Sequence, residues 1–465
     1  MRLVVVGGGI TGLAAAHRAV EIAREHGTAL DLTLVEARDR LGGTIETERS
    51  SGFLVETGPD SFLSEKPWAL ALCRRIGLEN RLVGTDDRLR RVFVWFGGRL
   101  HPVPDGFQLL APTRLMPFAT SSLFSWRGKL RMALDVILPR GGGEDESLGA
   151  FVRRRLGREA LERIAQPLVA GIYTADPDEL SLVATMPRFI ELERRERSLI
   201  LGLWKASRQA PVTGTSGARF SLFVSLAGGM GEMVAALAAR LPHGTVHLKH
   251  RVGGIERRGE HWRVMTEEGG PIDADAVILA TETHGASRLL RYVDPSLASM
   301  LQIIRYASSV TVSVGYRRSD IPHPLDGFGF VVPRAERRDL LACTFSSVKY
   351  PGRAPEGHVL IRAFVGGAMN AAALEWDDGT LVECVRRELG QALGVTAAPL
   401  LTRVCRHPAS MPQYTVGHLT TVETIERRLA TLPGLFLAGG GYRGVGIADC
   451  VRSAESAADA AFARR

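Results

Sequence analysis

The chain opens with a short apolar run that ends in three glycines. The segment is Leu3-Val4-Val5-Val6-Gly7-Gly8-Gly9-Ile10-Thr11-Gly12, and an alanine-rich stretch follows it. The apolar run predicts a buried parallel strand, and the alanine-rich stretch predicts a helix. A second apolar run over 32–35 ends in Glu36. Because GxGxxG is specific only between a strand and a helix, this strand–helix–strand order predicts a dinucleotide-binding unit.

Each glycine of the motif has a separate physical role. Gly7 permits the tight turn, Gly9 lets the backbone approach a pyrophosphate, and Gly12 lets the helix pack closely on the sheet. The free N–H groups at the start of the helix suit phosphates, and the carboxylate that ends the second strand can accept hydrogen bonds from ribose hydroxyls. We therefore expect this part of the site at Gly7, Gly8, Gly9, Ile10, Thr11, Gly12, Glu36 and Ala37.

A second glycine pair follows and favours FAD over NAD. The segment is Arg38-Asp39-Arg40-Leu41-Gly42-Gly43-Thr44. Glycines here let a second backbone segment close over the pyrophosphate, and Arg40 can neutralise its charge. The segment resembles the R-x-G-G signature of the amine-oxidase-like flavoproteins, which implies contacts from Gly43 and Thr44. In similar proteins a turn that is Gly58-Pro59-Asp60-Ser61 in this chain lies near the flavin, and the backbone around Val252 touches the adenine.

The far end of the chain supplies the last part of the predicted site. An apolar run over 435–438 predicts a short buried strand, and three glycines over 439–441 predict a turn. A final alanine-rich helix opens at Val445-Gly446-Ile447. Its positive end suits an anionic group, and reduced flavin carries negative charge near N1 and the C2 carbonyl. We expect Val445, Gly446 and Ile447 to contact a tightly held, non-covalent FAD.

The positions of these segments predict a fold of α/β and α+β type with a discontinuous, Rossmann-like FAD-binding domain. The predicted FAD-binding segments are 1–88, 211–290 and 411–465. Between them we expect a helical segment over 89–210 and a substrate-binding domain over 291–410. Alternating apolar and polar residues within the second insertion predict strands, so this domain should combine a mixed sheet with helices.

Composition and charge exclude several classes of protein. The 465 residues are 45% hydrophobic and carry a net charge of +8, which suits a large core and anionic partners. No basic run with interleaved aromatics and no zinc-finger spacing is present, so no nucleic-acid partner is expected. The five cysteines form no CxxC pair, so neither disulfides nor a metal site are expected. With no signal-peptide core and no long apolar stretch, we expect a cytoplasmic protein.

Bulky apolar residues are mixed with basic ones between 107 and 138. The basic residues of this stretch are Arg114, Arg127, Lys129 and Arg131. Such a mixture suits helices that lie on an anionic membrane surface, and it also suits helices whose apolar side is core. Peripheral membrane contact is therefore one expectation for this stretch, and an all-helical subdomain is the other.

Five further segments carry a closer resemblance. They are Gly171-Ile172-Tyr173-Thr174-Ala175-Asp176 with Leu180-Ser181, Phe345-Ser346-Ser347 with Arg353-Ala354-Pro355, Phe364-Val365-Gly366-Gly367, Met411-Pro412-Gln413-Tyr414-Thr415-Val416-Gly417-His418, and Tyr442-Arg443-Gly444-Val445-Gly446-Ile447-Ala448-Asp449-Cys450. Together they resemble the protoporphyrinogen and coproporphyrinogen oxidase family over essentially the whole chain. The chain departs from the family pattern at Thr174-Ala175, where Ala-Gly is usual, and at His407, where relatives often place a Trp near the flavin.

This resemblance implies an enzyme that removes six electrons from a porphyrinogen in three flavin cycles, with molecular oxygen as acceptor and hydrogen peroxide as product. Protoporphyrinogen IX and coproporphyrinogen III are both open as substrates. Because the flavin carries the chemistry and the growing aromaticity drives it, we nominate no acid–base residue. The candidate substrate contacts are Arg91 for a propionate, and Gly171, Ile172, Phe328 and Val331 for the macrocycle.

Two other functions fit parts of the pattern. Another enzyme of the superfamily, such as an amine oxidase or a carotenoid desaturase, would need an aromatic cage or a long lipid tunnel. A flavin-binding protein without turnover would serve as a membrane-associated scaffold for neighbouring haem-synthesis enzymes. Reduction of the flavin by a porphyrinogen in the absence of oxygen separates an enzyme from a scaffold. The sequence carries no signal for an oligomeric state.

Overall fold

The computed structural model describes residues 1–108, 110–141, 143–209, 222–368 and 370–463. At its centre is a parallel sheet of five strands, four of which contain an apolar run of the sequence; the fifth is the edge strand Val246–Leu248. In spatial order the strands are Val246–Leu248, Asp31–Glu36, Arg2–Val6, Ala276–Leu279 and Leu435–Leu437. Near-continuous apolar strands are typical of a sheet that is covered on both faces. The predicted Rossmann-like core is therefore confirmed.

Helices and a small antiparallel sheet cover the two faces of this sheet. On one face lie the helices Ile10–Glu25, Pro67–Arg75, Gly231–Ala238 and Ile447–Ala463. Small, fully buried residues such as Ala15 and Ala458 let the first and last of these helices approach each other closely. On the other face lie the helices Thr283–Leu290, Pro295–Ile303 and His418–Leu429, with the strands Val252–Arg258, His261–Thr266 and Pro271–Ala274. The helix Pro295–Ile303, which we placed in the substrate-binding segment, thus packs on the dinucleotide-binding sheet.

A mixed sheet of seven strands forms the second layer of the molecule. In spatial order its strands are Leu401–Pro412, Tyr306–Arg317, His358–Gly366, Leu340–Thr344, Gly329–Val331, Val92–Phe96 and Arg99–Pro102. Alternate residues such as Val310 and Val312 face the helix Asp378–Leu393, as the period of two predicts. The last two strands correct one prediction, because the helical segment that we placed from residue 89 begins only after residue 102.

The helical segment has its own apolar core and packs against the seven-stranded sheet. Its helices are Leu115–Thr120, Trp126–Ala133, Leu148–Arg155, Arg158–Ala160, Gln166–Tyr173, Leu182–Thr185, Pro187–Glu196 and Leu199–Gln209, with a π-helical turn over Leu161–Ala165 and a 3-10 turn over Leu134–Val136. Arg155 and Asp135, both fully buried, form an ion pair inside it. Within the described residues, no helix has the length and apolar character needed to cross a bilayer.

Short elements connect these layers. The strands are Thr47–Ser50 with Phe53–Glu56, Phe107–Gln108 with Ala111–Pro112, and Phe62–Leu63 and Leu82–Gly84 on either side of Phe223–Leu226. One helical turn spans Ser346–Lys349, and the 3-10 turns are Glu79–Arg81, Asp87–Leu89, Arg318–Asp320, Arg334–Glu336 and Ala371–Glu375. The division of the chain into domains is otherwise retained as a proposal.

Candidate cofactor and substrate site

The glycine motif lies at the carboxyl end of the strand Arg2–Val6, where the helix Ile10–Glu25 begins. No side chain caps this helix, so its first N–H groups are available to a ligand. A Cβ atom on Gly12 would lie 1.8 Å from the Gly7 carbonyl oxygen, so only glycine fits there. A Cβ atom on Gly9 would meet nothing of the protein closer than 3.9 Å. The structure therefore leaves an open cradle at Gly9, which fits a pyrophosphate held by backbone N–H groups.

The second glycine loop closes over the first. The Gly42 N–H donates to the Gly8 carbonyl oxygen at 2.8 Å. Arg40 donates to the carbonyl oxygens of Leu41, Gly43 and Ile45, the shortest of these contacts being 2.9 Å to Gly43. Its guanidinium is therefore used to shape the loop, and the predicted contact of Arg40 with the pyrophosphate stays a prediction.

Glu36 connects the predicted phosphate and ribose regions. Its carboxylate accepts hydrogen bonds from the backbone N–H groups of Gly8, at 2.7 Å, and Arg38, at 2.8 Å. Each carboxylate oxygen keeps a further lone pair, so acceptance from ribose hydroxyls remains compatible with this geometry. The His250 N–H donates to the Glu36 carbonyl oxygen, which places the segment leading into Val252 beside the same residue. The predicted ribose and adenine contacts are thus brought together, with Ala37 exposed next to them.

The turn over residues 57–61, called the Thr57 turn below, packs directly on the second glycine loop. A Cβ atom on Gly58 would lie 1.7 Å from the Thr44 carbonyl oxygen, so the two backbones touch. Asp60 accepts hydrogen bonds from Ser61 at 2.7 Å and from Lys349 at 3.2 Å. Burial alone would raise the pKa of Asp60, but Lys349 and Arg362 lower it to about 2. Asp60 is therefore an anion that is stabilised by the two nearby cations Lys349 and Arg362.

The Thr57 carbonyl oxygen accepts from three side chains of the seven-stranded sheet. The donors are His407 Nε2 at 2.8 Å, the Arg362 guanidinium at 3.0 Å and Thr311 Oγ1 at 3.4 Å. Because a carbonyl oxygen only accepts, Nε2 of His407 carries its proton. Burial lowers the pKa of His407, and the nearby Arg362, Arg38 and Arg40 act in the same direction. This His occupies the position of the expected Trp, and it fastens the Thr57 turn to the sheet.

The C-terminal turn is held by one buried phenol. Tyr414 Oη donates to the Gly440 carbonyl oxygen at 2.6 Å and accepts from the Gly444 N–H at 2.7 Å. Burial raises the pKa of Tyr414, so this phenol stays protonated. Val445 packs against the same apolar cluster as Tyr414, which brings the predicted contacts at Val445, Gly446 and Ile447 to the boundary with the second layer.

The predicted substrate residues fall into a group of three and a pair. A Cβ atom on Gly171 would lie 3.7 Å from Val331, so these two residues face each other, and the neighbouring Ile172 is 47% exposed. Arg91 and Phe328 are joined by a backbone hydrogen bond of 2.8 Å. The Arg91 guanidinium is half-exposed and pairs with a neighbouring carboxylate at 2.5 Å. The substrate roles of all five residues stay predictions.

Three residues that contact the Thr57 turn were missed by sequence reasoning: Arg362, Thr311 and Lys349. Arg362 is the one residue with a permanent charge in the strand His358–Gly366. A cation in an otherwise buried strand is a usable signal, because an Arg is almost never fully buried unless it has a partner. Thr311 and Lys349 carry no comparable signal in the sequence.

Comparison with known proteins agrees with this geometry. The sequence profile of the "Flavin containing amine oxidoreductase" family matches residues 10–461. The chain is 36% identical over 457 residues to "Coproporphyrinogen III oxidase" of Bacillus subtilis (strain 168), covering 98% of this chain and 96% of the relative. It is 33% identical over 478 residues to "Protoporphyrinogen oxidase 1, chloroplastic" of Arabidopsis thaliana, covering 97% and 86%. A crystal structure from Exiguobacterium sp. 255-15, assigned as a protoporphyrinogen oxidase, matches with a TM-score of 0.88 at 34% identity, over 100% of this chain and 99% of that chain.

The parallel sheet, the paired glycine loops and the open cradle at Gly9 define a dinucleotide-binding flavoprotein. The residues that would hold FAD come from widely separated segments of the chain, and these contacts stay predictions. The chain belongs to the flavin containing amine oxidoreductase family, and it is an FAD-dependent oxidoreductase.

Proposed function

We propose that this protein oxidises a porphyrinogen to the corresponding porphyrin in haem synthesis, removing six electrons and producing hydrogen peroxide from molecular oxygen. The observation that carries the proposal is 36% identity to a coproporphyrinogen III oxidase over 98% of the chain. Coproporphyrinogen III is the first substrate to test. Protoporphyrinogen IX is the alternative, because a protoporphyrinogen oxidase matches 97% of the chain.

The apolar surface at Gly171, Ile172 and Val331 supports a flat, bulky substrate. Gly171 has no side chain between a ligand and Val331, and the half-exposed Ile172 next to it could extend an apolar contact with the macrocycle. FAD, when bound, supplies the hydride acceptor and the centre that reacts with oxygen. The part of these protein residues is to hold the macrocycle in one orientation and to keep water away from its apolar face.

The substrate also carries propionates, and Arg91 is the proposed anchor for one of them. Its guanidinium can hold a carboxylate through two parallel hydrogen bonds. In the structure it pairs with Asp326, and both side chains are partly exposed, so a propionate would have to compete with that carboxylate. Arg91 is therefore expected to contribute to substrate binding more than to the chemical step.

Turnover of both porphyrinogens by the purified, FAD-loaded protein tests the proposal. In air we expect porphyrin fluorescence to rise together with hydrogen peroxide. Without oxygen, the same porphyrinogen should bleach the flavin absorbance. No bleaching by either porphyrinogen would overturn the proposal and favour the scaffold function. Bleaching without turnover in air would overturn molecular oxygen as the electron acceptor. Contacts with neighbouring haem-synthesis enzymes stay a prediction.

We also propose a cytoplasmic location with peripheral attachment to an anionic membrane surface. The proposed contact is an apolar patch with Leu115, Met116, Trp126, Leu130 and Ile137, which are 57–74% exposed. The sole acid between 107 and 138 is Asp135, and it is fully buried. This stretch therefore has exposed apolar side chains and no exposed acid of its own, and the adjacent Glu159 is paired with Arg163, which suits a surface of anionic lipid headgroups.

The cations of this stretch divide into two groups. Lys129 donates to the carbonyl oxygens of Ala119 and Ser121, and Arg131 donates to those of residues 153–155. These two cations therefore stabilise the helical segment. Arg114 and Arg127 are exposed and are the ones that we assign to lipid.

Co-sedimentation with phosphatidylglycerol–phosphatidylcholine vesicles tests the attachment. Binding should rise with the phosphatidylglycerol fraction and fall with salt, because surface charge is screened over about 8–10 Å at 0.1–0.15 M ionic strength. Trp126→Glu and Ile137→Glu should each weaken it. Tyr292→Glu is the matched control, because Tyr292 is 83% exposed and lies outside the patch. Equal recovery of wild type in the supernatant with and without vesicles would favour an ordinary helical subdomain.

A further inference from the structure

Arg362 is a buried cation whose hydrogen bonding is incomplete. It is 6% exposed, and its guanidinium has one hydrogen bond, from a terminal N–H to the Thr57 carbonyl oxygen at 3.0 Å. Its Nε atom is buried and has no acceptor. No carboxylate of the described residues lies within 4.0 Å of the guanidinium. The Phe364 ring, whose centroid lies 5.0 Å from the guanidinium carbon, supplies only a weak cation–π contact. Because a buried cation without a carboxylate partner is costly, this arrangement indicates a partner that the protein itself does not supply.

The nearby acids do not fill this role, because each has a closer cation. Asp60 accepts hydrogen bonds from Lys349. Glu56 accepts from backbone and hydroxyl donors, and Arg353 lies 3.8 Å from it. Among the acids Asp60 and Glu56 and the cations Lys349, Arg353 and Arg362, Arg362 is therefore the cation that has no carboxylate within 4.0 Å.

Arg362 faces the site rather than the core behind the seven-stranded sheet. Its neighbours Ile361 and Ala363 belong to the core on the helix-covered face, and strand side chains alternate between faces. Two residues further on the same face, Phe364 packs against the cluster that contains Val331 and Val445. Arg362 thus lies between the Thr57 turn and the apolar surface proposed for the substrate.

We propose that Arg362 is an electrostatic ligand of the flavin ring and stabilises its reduced form. The ring of FAD is the expected neighbour of the Thr57 turn, and it offers carbonyl and ring-nitrogen acceptors to the unpaired N–H groups. Reduction places negative charge on the ring, so a fixed guanidinium favours the reduced state over the oxidised one. The flavin ring would then have two positive groups beside it, Arg362 and the N-terminus of the helix Ile447–Ala463.

The midpoint potential of bound FAD and its affinity for sulfite test this role without any porphyrinogen. Sulfite forms an S–N bond with the oxidised ring through its own electron pair, and the ring then carries negative charge. In Arg362→Met we expect at least tenfold weaker sulfite binding. A tenfold smaller preference for reduced over oxidised FAD corresponds to a potential lower by about 30 mV. Arg362→Lys should lie between Met and wild type, because it keeps the charge and loses the planar fork.

The matched control is Arg353→Met. Arg353 is equally buried, but its guanidinium donates to Ser225 and to the carbonyl oxygens of residues 226 and 227. Its replacement should lower stability and leave the potential of the loaded fraction unchanged. If Arg362→Met does not fold, the potentials and sulfite affinities of Arg362→Gln and Arg362→Lys are compared, because only the lysine variant keeps the charge. Loss of folding in all three variants would make Arg362 a purely structural residue and overturn the proposal.

Unchanged potential and unchanged sulfite affinity in a fully FAD-loaded Arg362→Met or Arg362→Gln protein would overturn the proposal. A higher KM for porphyrinogen with those two values unchanged would overturn it as well, because the missing partner would then be a substrate carboxylate. Both readouts are independent of the substrate, so failure of this inference is distinguishable from failure of the proposed porphyrinogen oxidation.

Discussion

Replacing Arg155 by Met is expected to destabilise the helical segment by about 3–4 kcal/mol without changing FAD content. Arg155 and Asp135 are both 0% exposed, and Arg155 Nε lies 2.7 Å from the carboxylate. Removing one partner of a buried pair costs about 3–5 kcal/mol, because the other charge stays buried. We expect the lower half of this range, since Asp135 keeps hydrogen bonds from Ser198 at 2.6 Å and from the Ile200 N–H at 3.0 Å.

Hydrogen–deuterium exchange of the helix Leu148–Arg155 measures this loss locally, which matters because a chain of this size need not unfold in one step. At about 1.4 kcal/mol per factor of ten, exchange should be about a hundredfold to a thousandfold faster in Arg155→Met. Asp135→Leu alone should be comparably damaging. The double variant should recover only part of the protection, because neither charge is then buried alone but the carbonyl oxygens of residues 135, 138, 139 and 197 still lack the Arg155 donors. Protection within about threefold of wild type in Arg155→Met would refute this reasoning.

Three further predictions concern the cofactor and substrate residues. Gly9→Val should fold but lack FAD, because the valine side chain enters the open cradle. Gly12→Val should fail to fold, because its side chain would collide with the Gly7 carbonyl oxygen. A yellow, fully FAD-loaded Gly9→Val protein would contradict this. In the FAD-free protein, Asp60→Asn should lower the free energy of unfolding by about 2 kcal/mol at pH 7. The reason is that folding lowers the pKa of Asp60 from 3.8 to about 2, which stabilises the folded state above pH 3.8. This contribution disappears as the pH falls toward 2. Equal urea midpoints for the two proteins at pH 7 would exclude that contribution. Arg91→Ala should raise KM for the porphyrinogen about tenfold, which corresponds to about 1.4 kcal/mol, with kcat nearly unchanged. Arg91→Lys should raise KM less, because lysine keeps the charge. Wild-type kcat/KM of Arg91→Ala with both porphyrinogens would make Arg90 the next residue to test.

The parts of the fold that depend on local pattern could be predicted from the sequence. The strand, glycine turn and helix at Gly7–Gly12 are adjacent in the chain, and each constrains its neighbours. The strands Val92–Phe96 and Arg99–Pro102 could not be assigned to the second layer. The first pairs in parallel with Gly329–Val331, and a pairing across more than 200 residues leaves no local signal.

The candidate site shows the same division. The turn and loop expected to hold the phosphates and the ribose follow from the glycine spacing and from one terminal acid. The surroundings of Thr57 do not, because its three donors come from three strands that are neighbours only in the folded sheet. Likewise, the sequence places Lys129 and Arg131 among exposed basic residues, but both bind backbone carbonyl oxygens that the sequence cannot locate.

The interleaved order of the parallel sheet has a consequence for how the protein is made. Arg2–Val6 is synthesised early, but its neighbour Ala276–Leu279 lies more than 270 residues later, and Leu435–Leu437 completes the sheet later still. Until then the ribosome-bound chain exposes an apolar strand with unpaired backbone groups, which is a site for aggregation and for chaperone capture. Since the expected FAD contacts come from both the first and the last strand of this sheet, FAD should be retained only after the last strand has joined. The supply of free FAD should therefore determine how much of the newly made protein escapes degradation, through its effect on the unfolded fraction.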